Sequence, residues 1–192
     1  MVQIVAFESI TLDGVMQSPG RPDEDPRGGF AHGGWAAPYA SPEQMQAVGE
    51  SMATTGALLL GRRTYEDFFQ VWPGRTDNPF SAVLDAATKY VASRTLREPL
   101  PWQNSVLLPD GTDGAARLRR ETGKDIVILG SGELVRSLAA VGLIDRYVLQ
   151  IHPLVLGSGQ RLFADDAARS ALRLVESRTT STGVVIATYE PA

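Results

Sequence analysis

Two short runs of this sequence combine residue types that bind phosphate. One is Leu60-Gly61-Arg62-Arg63-Thr64, the other Leu129-Gly130-Ser131-Gly132-Glu133. In each, an apolar run that reads as a buried strand turns through glycine into a helical pattern. A helix start presents N–H groups without intrahelical partners and the positive end of the dipole, so it favours an anion. Glycine lets that anion approach the backbone. Arg62, Arg63 and Arg94 add guanidinium forks that match phosphate geometry. Two such junctions in one small domain suit the two ends of a dinucleotide. Plainer readings stand beside this one. Thr64 with Asp67 spells a capping box, and Ser131 sits where an N-cap would.

Other phosphate and nucleophile motifs are absent. Gly130-Ser131-Gly132 is followed by Val135, and Gly157-Ser158-Gly159 by Leu162, where a dinucleotide fingerprint needs its third glycine. No P-loop run occurs. Leucines at 129 and 156 exclude the G-x-S-x-G elbow, so serine-hydrolase chemistry is disfavoured. Acid–base candidates are few. Asp13 ends the first strand and can project into a cleft, or can simply close an Asp-Gly turn. Glu43 and Glu50 lie on the first helix and read as solvated. His32 sits in a long loop from which it can reach a substrate. His152 reads as structural. Trp35, like Phe30, can cover an aromatic substrate or anchor that loop.

The composition narrows the classes. The 192 residues are 43% hydrophobic and 21% charged, as in an ordinary globular chain. With 18 basic and 22 acidic residues the net charge is -4, and no basic patch marks a nucleic-acid binder. Cysteine is absent and histidine occurs twice, which excludes disulfides, thiol chemistry and Cys-ligated metals. No metal site is expected. Apolar runs reach about four residues, far short of a membrane span, and the start MVQIVAFESI lacks signal-peptide features. A cytoplasmic location is the expectation.

The elements that must position these residues alternate along the chain. Strands are expected at Val2–Ile10, Ala57–Leu60, Lys89–Ser93, Ser105–Leu108, Ile126–Leu129, Asp145–Ile151, Leu172–Glu176 and Gly183–Tyr189. Ser41-Pro42-Glu43-Gln44 starts a helix, with Met45, Val48, Met52 and Ala53 on one face. Helices follow Gly61 and Gly132, and a short one spans Ala115–Glu121. Between Gln17 and Gly34 lies an 18-residue loop with five Gly and three Pro, the length of a lid or binding loop. Alternating strands and helices with a strand-rich end imply a single α/β domain over 1–192.

The blocks together resemble the dihydrofolate reductase-like superfamily, in particular the reductase C-terminal domain of the bifunctional riboflavin-biosynthesis deaminase-reductase. They are Thr11-Leu12-Asp13-Gly14; Gly61-Arg62-Arg63-Thr64-Tyr65-Glu66; Lys89 to Arg94; Gly130 to Val135; Leu143-Ile144-Asp145; and His152 through Phe163. The resemblance implies a three-layer sandwich with a central mixed, mostly parallel sheet and an antiparallel C-terminal hairpin. It also implies an NADPH-dependent reductase. Gly61, Arg62, Arg63 and Thr64 inherit phosphate binding. Ser93 and Arg94 inherit the adenosine 2′-phosphate. Gly130, Ser131, Gly132 and the N–H groups of Glu133 and Leu134 inherit the pyrophosphate. The acid that dihydrofolate reductases carry on the first helix falls near Met45, so folate reduction is not expected. No counterpart of the zinc-binding deaminase half is expected in these 192 residues.

The expected activity is hydride transfer from NADPH to a small heterocyclic (pyrimidine- or pterin-like) or carbonyl substrate lying under the Gln17–Trp35 loop. Proton delivery is open among Asp13, His32 and water. The alternative is a non-catalytic nucleotide-binding or ligand-sensing module on the same fold. By analogy with relatives, the chain is expected to be a homodimer.

Overall fold

The computed structural model describes residues 2–121, 123–163 and 169–192. In chain order the elements are β1 (Ile4–Thr11), α1 (Pro42–Thr54), β2 (Thr55–Gly61), α2 (Arg62–Val71), α3 (Phe80–Ala86), β3 (Thr88–Ala92), β4 (Ser105–Leu108), α4 (Thr112–Glu121), β5 (Asp125–Leu129), α5 (Gly132–Ala140), β6 (Arg146–His152), β7 (Leu172–Thr179) and β8 (Val185–Pro191). Among the described residues the strands form one sheet, in the order β4-β3-β2-β5-β1-β6-β8-β7. Pairing is parallel from β4 to β6. It turns antiparallel at β6–β8 and β8–β7. This is the mixed, mostly parallel sheet with an antiparallel C-terminal hairpin that the sequence implies.

Strand alternation splits the core in two. Ile4, Ala6 and Ile10 of β1 face α4 and α5, packing with Ala115, Leu118, Leu134, Val135 and Leu138. Val5 and Phe7 face the other way, with Ala47 of α1, Tyr65 of α2 and Leu84 of α3. Leu58, Leu59 and Leu60 of β2 are all fully buried, because helices cover both faces of a parallel sheet. Each such leucine contributes about 1.5–3 kcal/mol of burial.

Three expectations need correction. α3 was not anticipated; it is short, and its end is capped from outside. The buried Lys89 Nζ donates to the Leu84 and Ala87 carbonyls at 2.7 and 2.8 Å, and burial pulls its pKa down to about 8. α4 begins at Thr112 rather than Ala115. The face of α1 is also rotated. Gln44 and Ala47 point inward, while Met45 is 54% exposed. Ser41 caps α1 as expected, its Oγ accepting the Gln44 N–H at 3.4 Å. Among the described residues no helix is long and apolar enough to cross a membrane.

Candidate active site at the carboxyl ends of the strands

β2 and β5 are parallel neighbours, so both glycine junctions emerge side by side at the same edge of the sheet. This is where ligands bind in open α/β sheets. Gly130 and Ser131 both adopt left-handed backbone, at φ 61° and 62°. That turn swings Ser131 toward β2, where its Oγ accepts the Gly61 N–H at 2.9 Å. One hydroxyl thus locks the two junctions together. Ser131 occupies the N-cap position of α5 but makes no side-chain cap bond, so its hydroxyl serves the other junction. A Cβ on Gly130 would lie 3.4 Å from the Thr64 methyl, which sets the spacing between the junctions.

The helix starts are open. The Gly132 and Glu133 N–H groups carry no backbone partner among the described residues, whereas Leu134 N–H turns back to the Ser131 carbonyl at 2.8 Å. The expectation that Leu134 lends its N–H to a pyrophosphate is therefore corrected. The capping box at Thr64 and Asp67 is not formed. α2 starts three residues earlier, at Arg62, with Gly61 at its N-cap without a side-chain bond, and Asp67 binds Arg21 of the long loop at 2.5 Å.

The arginines divide into held and free. Arg62 pairs with Glu66 at 2.8 Å along α2. Arg63 reaches across to Glu133 at 2.9 Å, and Arg27 of the long loop approaches the same carboxylate at 3.7 Å. Arg94 follows β3, the other neighbour of β2, and its exposed guanidinium has no partner among the described residues. Ser93 Oγ accepts the Thr95 and Leu96 N–H groups at 3.1 and 3.0 Å and so shapes the loop that presents Arg94.

Beneath the glycine-rich junction lies Glu8 of β1, 2% exposed, on the α5 side of the sheet. Burial pushes its pKa well up, against the pull of a hydrogen bond from the Gly130 backbone. Burial of this kind favours the protonated carboxyl over the carboxylate.

The catalytic candidates from sequence fare differently. Asp13 is tied into the fold by hydrogen bonds. Its carboxylate accepts the Thr11 hydroxyl at 2.6 Å and the Gly157 and Leu156 N–H groups at 2.8 and 3.2 Å. These bonds, the Thr11 one foremost, hold it below the usual carboxylate range, so it stays ionised and clamps two turns together. His32 is exposed and stands edge-on to Phe30, 5.7 Å between ring centres, rather than turning inward. Trp35 does turn inward. It is 7% exposed, its Nε1 donates to the Gln17 carbonyl at 2.7 Å, and its ring stands edge-on to His152 at 5.0 Å.

Under Trp35 lies a polar group that sequence reasoning missed. Ser9 of β1 pairs in register with Gln150 of β6, and Thr11 with His152. Gln44 comes down from the first turn of α1. Gln44 Nε2 lies 3.2 Å from Gln150 Oε1 and 3.3 Å from His152 Nε2. Ser9 Oγ donates to Gln150 Oε1 at 3.3 Å. Burial lowers the His152 pKa, so the ring is neutral. The available signal was polar residues on an otherwise apolar strand, Gln150 and His152 alternating with Leu149 and Ile151. The acids on α1 point elsewhere: Glu43 binds Ser181 and Glu50 binds Arg178. A surface depression of about 740 Å³ lies at the opposite end of β3 and β4. Among the residues that line it, the Gln103 and Asn104 side chains bond to the Asp85 carbonyl.

The model of the RibD C-terminal domain matches residues 2–186. The chain is 33% identical to the protein YyaP of Bacillus subtilis (strain 168) over 136 residues, covering 69% of this chain and 72% of that one. It is 41% identical to YwjB of the same strain over 132 residues, covering 59% and 71%. Among solved structures, one from Shewanella sp. PV-4 named for riboflavin biosynthesis aligns over 100% of this chain and 99% of its own, with TM-score 0.76 and 20% identity. A pyrimidine reductase-like protein from Corynebacterium diphtheriae aligns over 100% and 92%, with TM-score 0.69 and 14% identity. Dihydrofolate reductase from Enterococcus faecalis, complexed with NADP(H), aligns over 98% and 96%, with TM-score 0.64 and 13% identity. These structural likenesses establish a dihydrofolate reductase-like fold.

Proposed function

Because the chain belongs to the RibD C-terminal domain family, we propose that it is an NADPH-dependent reductase of a small heterocyclic or carbonyl substrate. The observation that carries this reading is the lock between the junctions, Ser131 Oγ on the Gly61 N–H at 2.9 Å. It fixes two helix N-termini at a spacing set by one hydroxyl, as a dinucleotide with two phosphate-bearing ends requires.

The residues present fit such a cofactor. The Gly132 and Glu133 N–H groups would hold the pyrophosphate. Arg63 stands beside them, and Arg94 would pair with the 2′-phosphate that distinguishes NADPH from NADH. The nicotinamide, when bound, supplies the hydride. The chain's own part is orientation and exclusion of water. Asp13 clamps the end of β1 to the turn after β6, and Trp35 closes over the polar group between α1 and β6. The same reading includes a homodimer, which sedimentation tests.

The test is oxidation of NADPH by purified protein with flavin precursors, pterins and small carbonyls. Turnover on a member of this panel is expected. NADPH binding without turnover would point instead to a ligand-sensing module. Failure to bind or oxidise NADPH would overturn the reading.

A further inference from the structure

The hydrogen bonds of the polar group under Trp35 have one consistent direction. His152 Nδ1 lies between two carbonyl oxygens, Ile10 O at 3.3 Å and Gln150 O at 3.0 Å. Only an N–H can face a carbonyl, so Nδ1 carries the proton and Nε2 is an acceptor. The atom of Gln44 facing Nε2 must then be its NH2. That group also donates to Gln150 Oε1, which additionally accepts from Ser9. Both protons of the Gln44 amide and both lone pairs of Gln150 Oε1 are thereby used. Two atoms are left over, Gln44 Oε1 and Gln150 Nε2, and both are buried without a hydrogen-bond partner. The residues that carry them are 9% and 5% exposed.

One leftover is an acceptor and the other a donor. Buried polar atoms without partners are costly, and a fold that needed only packing would place Leu or Met at these positions. Among the described residues, no charged side chain hydrogen-bonds to Ser9, Gln44, Gln150 or His152. Glu43 and Glu50 point toward Ser181 and Arg178, and Glu8 lies on the other face of the sheet. A charged ligand buried here would have no counter-charge. The rings of Trp35 and Tyr39 stand edge-on to His152 at 5.0 and 5.6 Å and border the same group.

We propose that Gln44 and Gln150 are the specificity-determining residues of this site, selecting an uncharged ring that offers a hydrogen-bond donor to Gln44 Oε1 and an acceptor to Gln150 Nε2. A lactam edge, N–H beside C=O, has that pattern. The proposal deepens the reductase reading but stands on the amide network, so it is testable without cofactor.

The probe is 2-pyridone, a planar lactam, against N-methyl-2-pyridone, which lacks the donor, and against benzoate and benzamidinium, which carry charge. Binding is followed by ligand-observed NMR with and without NADPH. Wild-type protein is expected to bind 2-pyridone at least about tenfold more tightly than the N-methyl compound and to reject both charged rings. Gln44→Leu and Gln150→Leu, with folding checked by thermal melting, are each expected to lose about tenfold in 2-pyridone affinity while binding NADPH as before. Equal binding of the two pyridones, preference for a charged ring, no 2-pyridone binding, or unchanged binding by the leucine variants would overturn the proposal. Loss of NADPH binding by wild type, with lactam selectivity intact, would overturn the reductase reading instead.

Discussion

Two polar regions share the carboxyl edge of the sheet and are built on opposite plans. Around the glycine junctions, charge is abundant and exposed: Arg27, Arg63 and Glu133 meet at the surface, and the Arg94 guanidinium has no partner among the described residues. Under Trp35, the Ser9, Gln44, Gln150 and His152 group is buried and uncharged. The difference follows from solvation. Exposed arginines stay hydrated until a phosphate arrives, at little cost to folding. In a buried site unpaired charge is expensive, so recognition there falls to amides. Even beneath the charged junction the rule holds, because burial of Glu8 disfavours its charged form.

The largest effect that would sharpen this contrast is expected at Arg94. A hydrogen-bonded ion pair with the 2′-phosphate contributes about 1.5–3 kcal/mol. Arg94→Ala is therefore expected to weaken NADPH by about 10–100-fold and to leave NADH nearly unchanged, read by parallel titrations. Equal loss for both would show that Arg94 does not read the extra phosphate.

The two regions also differ in their response to pH. Glu8 has its folded pKa raised above the usual 4.5, so as pH climbs past that value the unfolded chain ionises first and stability falls. His152 has its folded pKa lowered below the usual 6.5, so as pH drops below that value the unfolded chain takes up a proton first and stability again falls. In thermal melts across pH, Glu8→Gln is expected to be more stable than wild type, by a margin that grows as pH rises from 4.5. The acid-side loss from His152 is expected to persist in that variant. A margin independent of pH would mean that burial does not raise the Glu8 pKa.

Smaller effects probe the links between parts. Ser131→Ala leaves the Gly61 N–H without its acceptor and is expected to cost about 1 kcal/mol in denaturant unfolding, with weaker NADPH binding. Glu133→Gln releases Arg63 and Arg27 from a competing carboxylate. It is expected to tighten NADPH binding about threefold at low ionic strength, with the gain vanishing at high salt. Weaker binding in that variant would mean that the Glu133 carboxylate, and not only its N–H, serves the cofactor.

The same contrast explains what could be read from the chain. The junctions were legible because each is a contiguous run with its glycine, arginine and helix start in sequence order. Their coupling was not, since the Ser131 hydroxyl reaches 70 residues back to Gly61. The buried group was illegible for a similar reason: it is assembled from β1, α1 and β6. The phase of α1 compounded this. Counting apolar residues put Met45 inward, but the inner face of the first turn is polar and belongs to Gln44. The α/β class followed from the alternation of strands and helices, whereas the strand order and the division of the core between the two faces are visible only once the chain is folded. Asp13 shows the limit of reading a residue by its type: a carboxylate at a strand end suggested proton transfer, and its hydrogen bonds make it a clamp.

The central claim, that the joined junctions bind a phosphorylated dinucleotide, is tested most directly by titrating the protein with NADPH and with NADH while following the fluorescence of Trp35, Trp72 and Trp102. Saturable NADPH binding at about 1–100 μM, with NADH clearly weaker, is the predicted result. Binding of neither below about 1 mM would contradict the account.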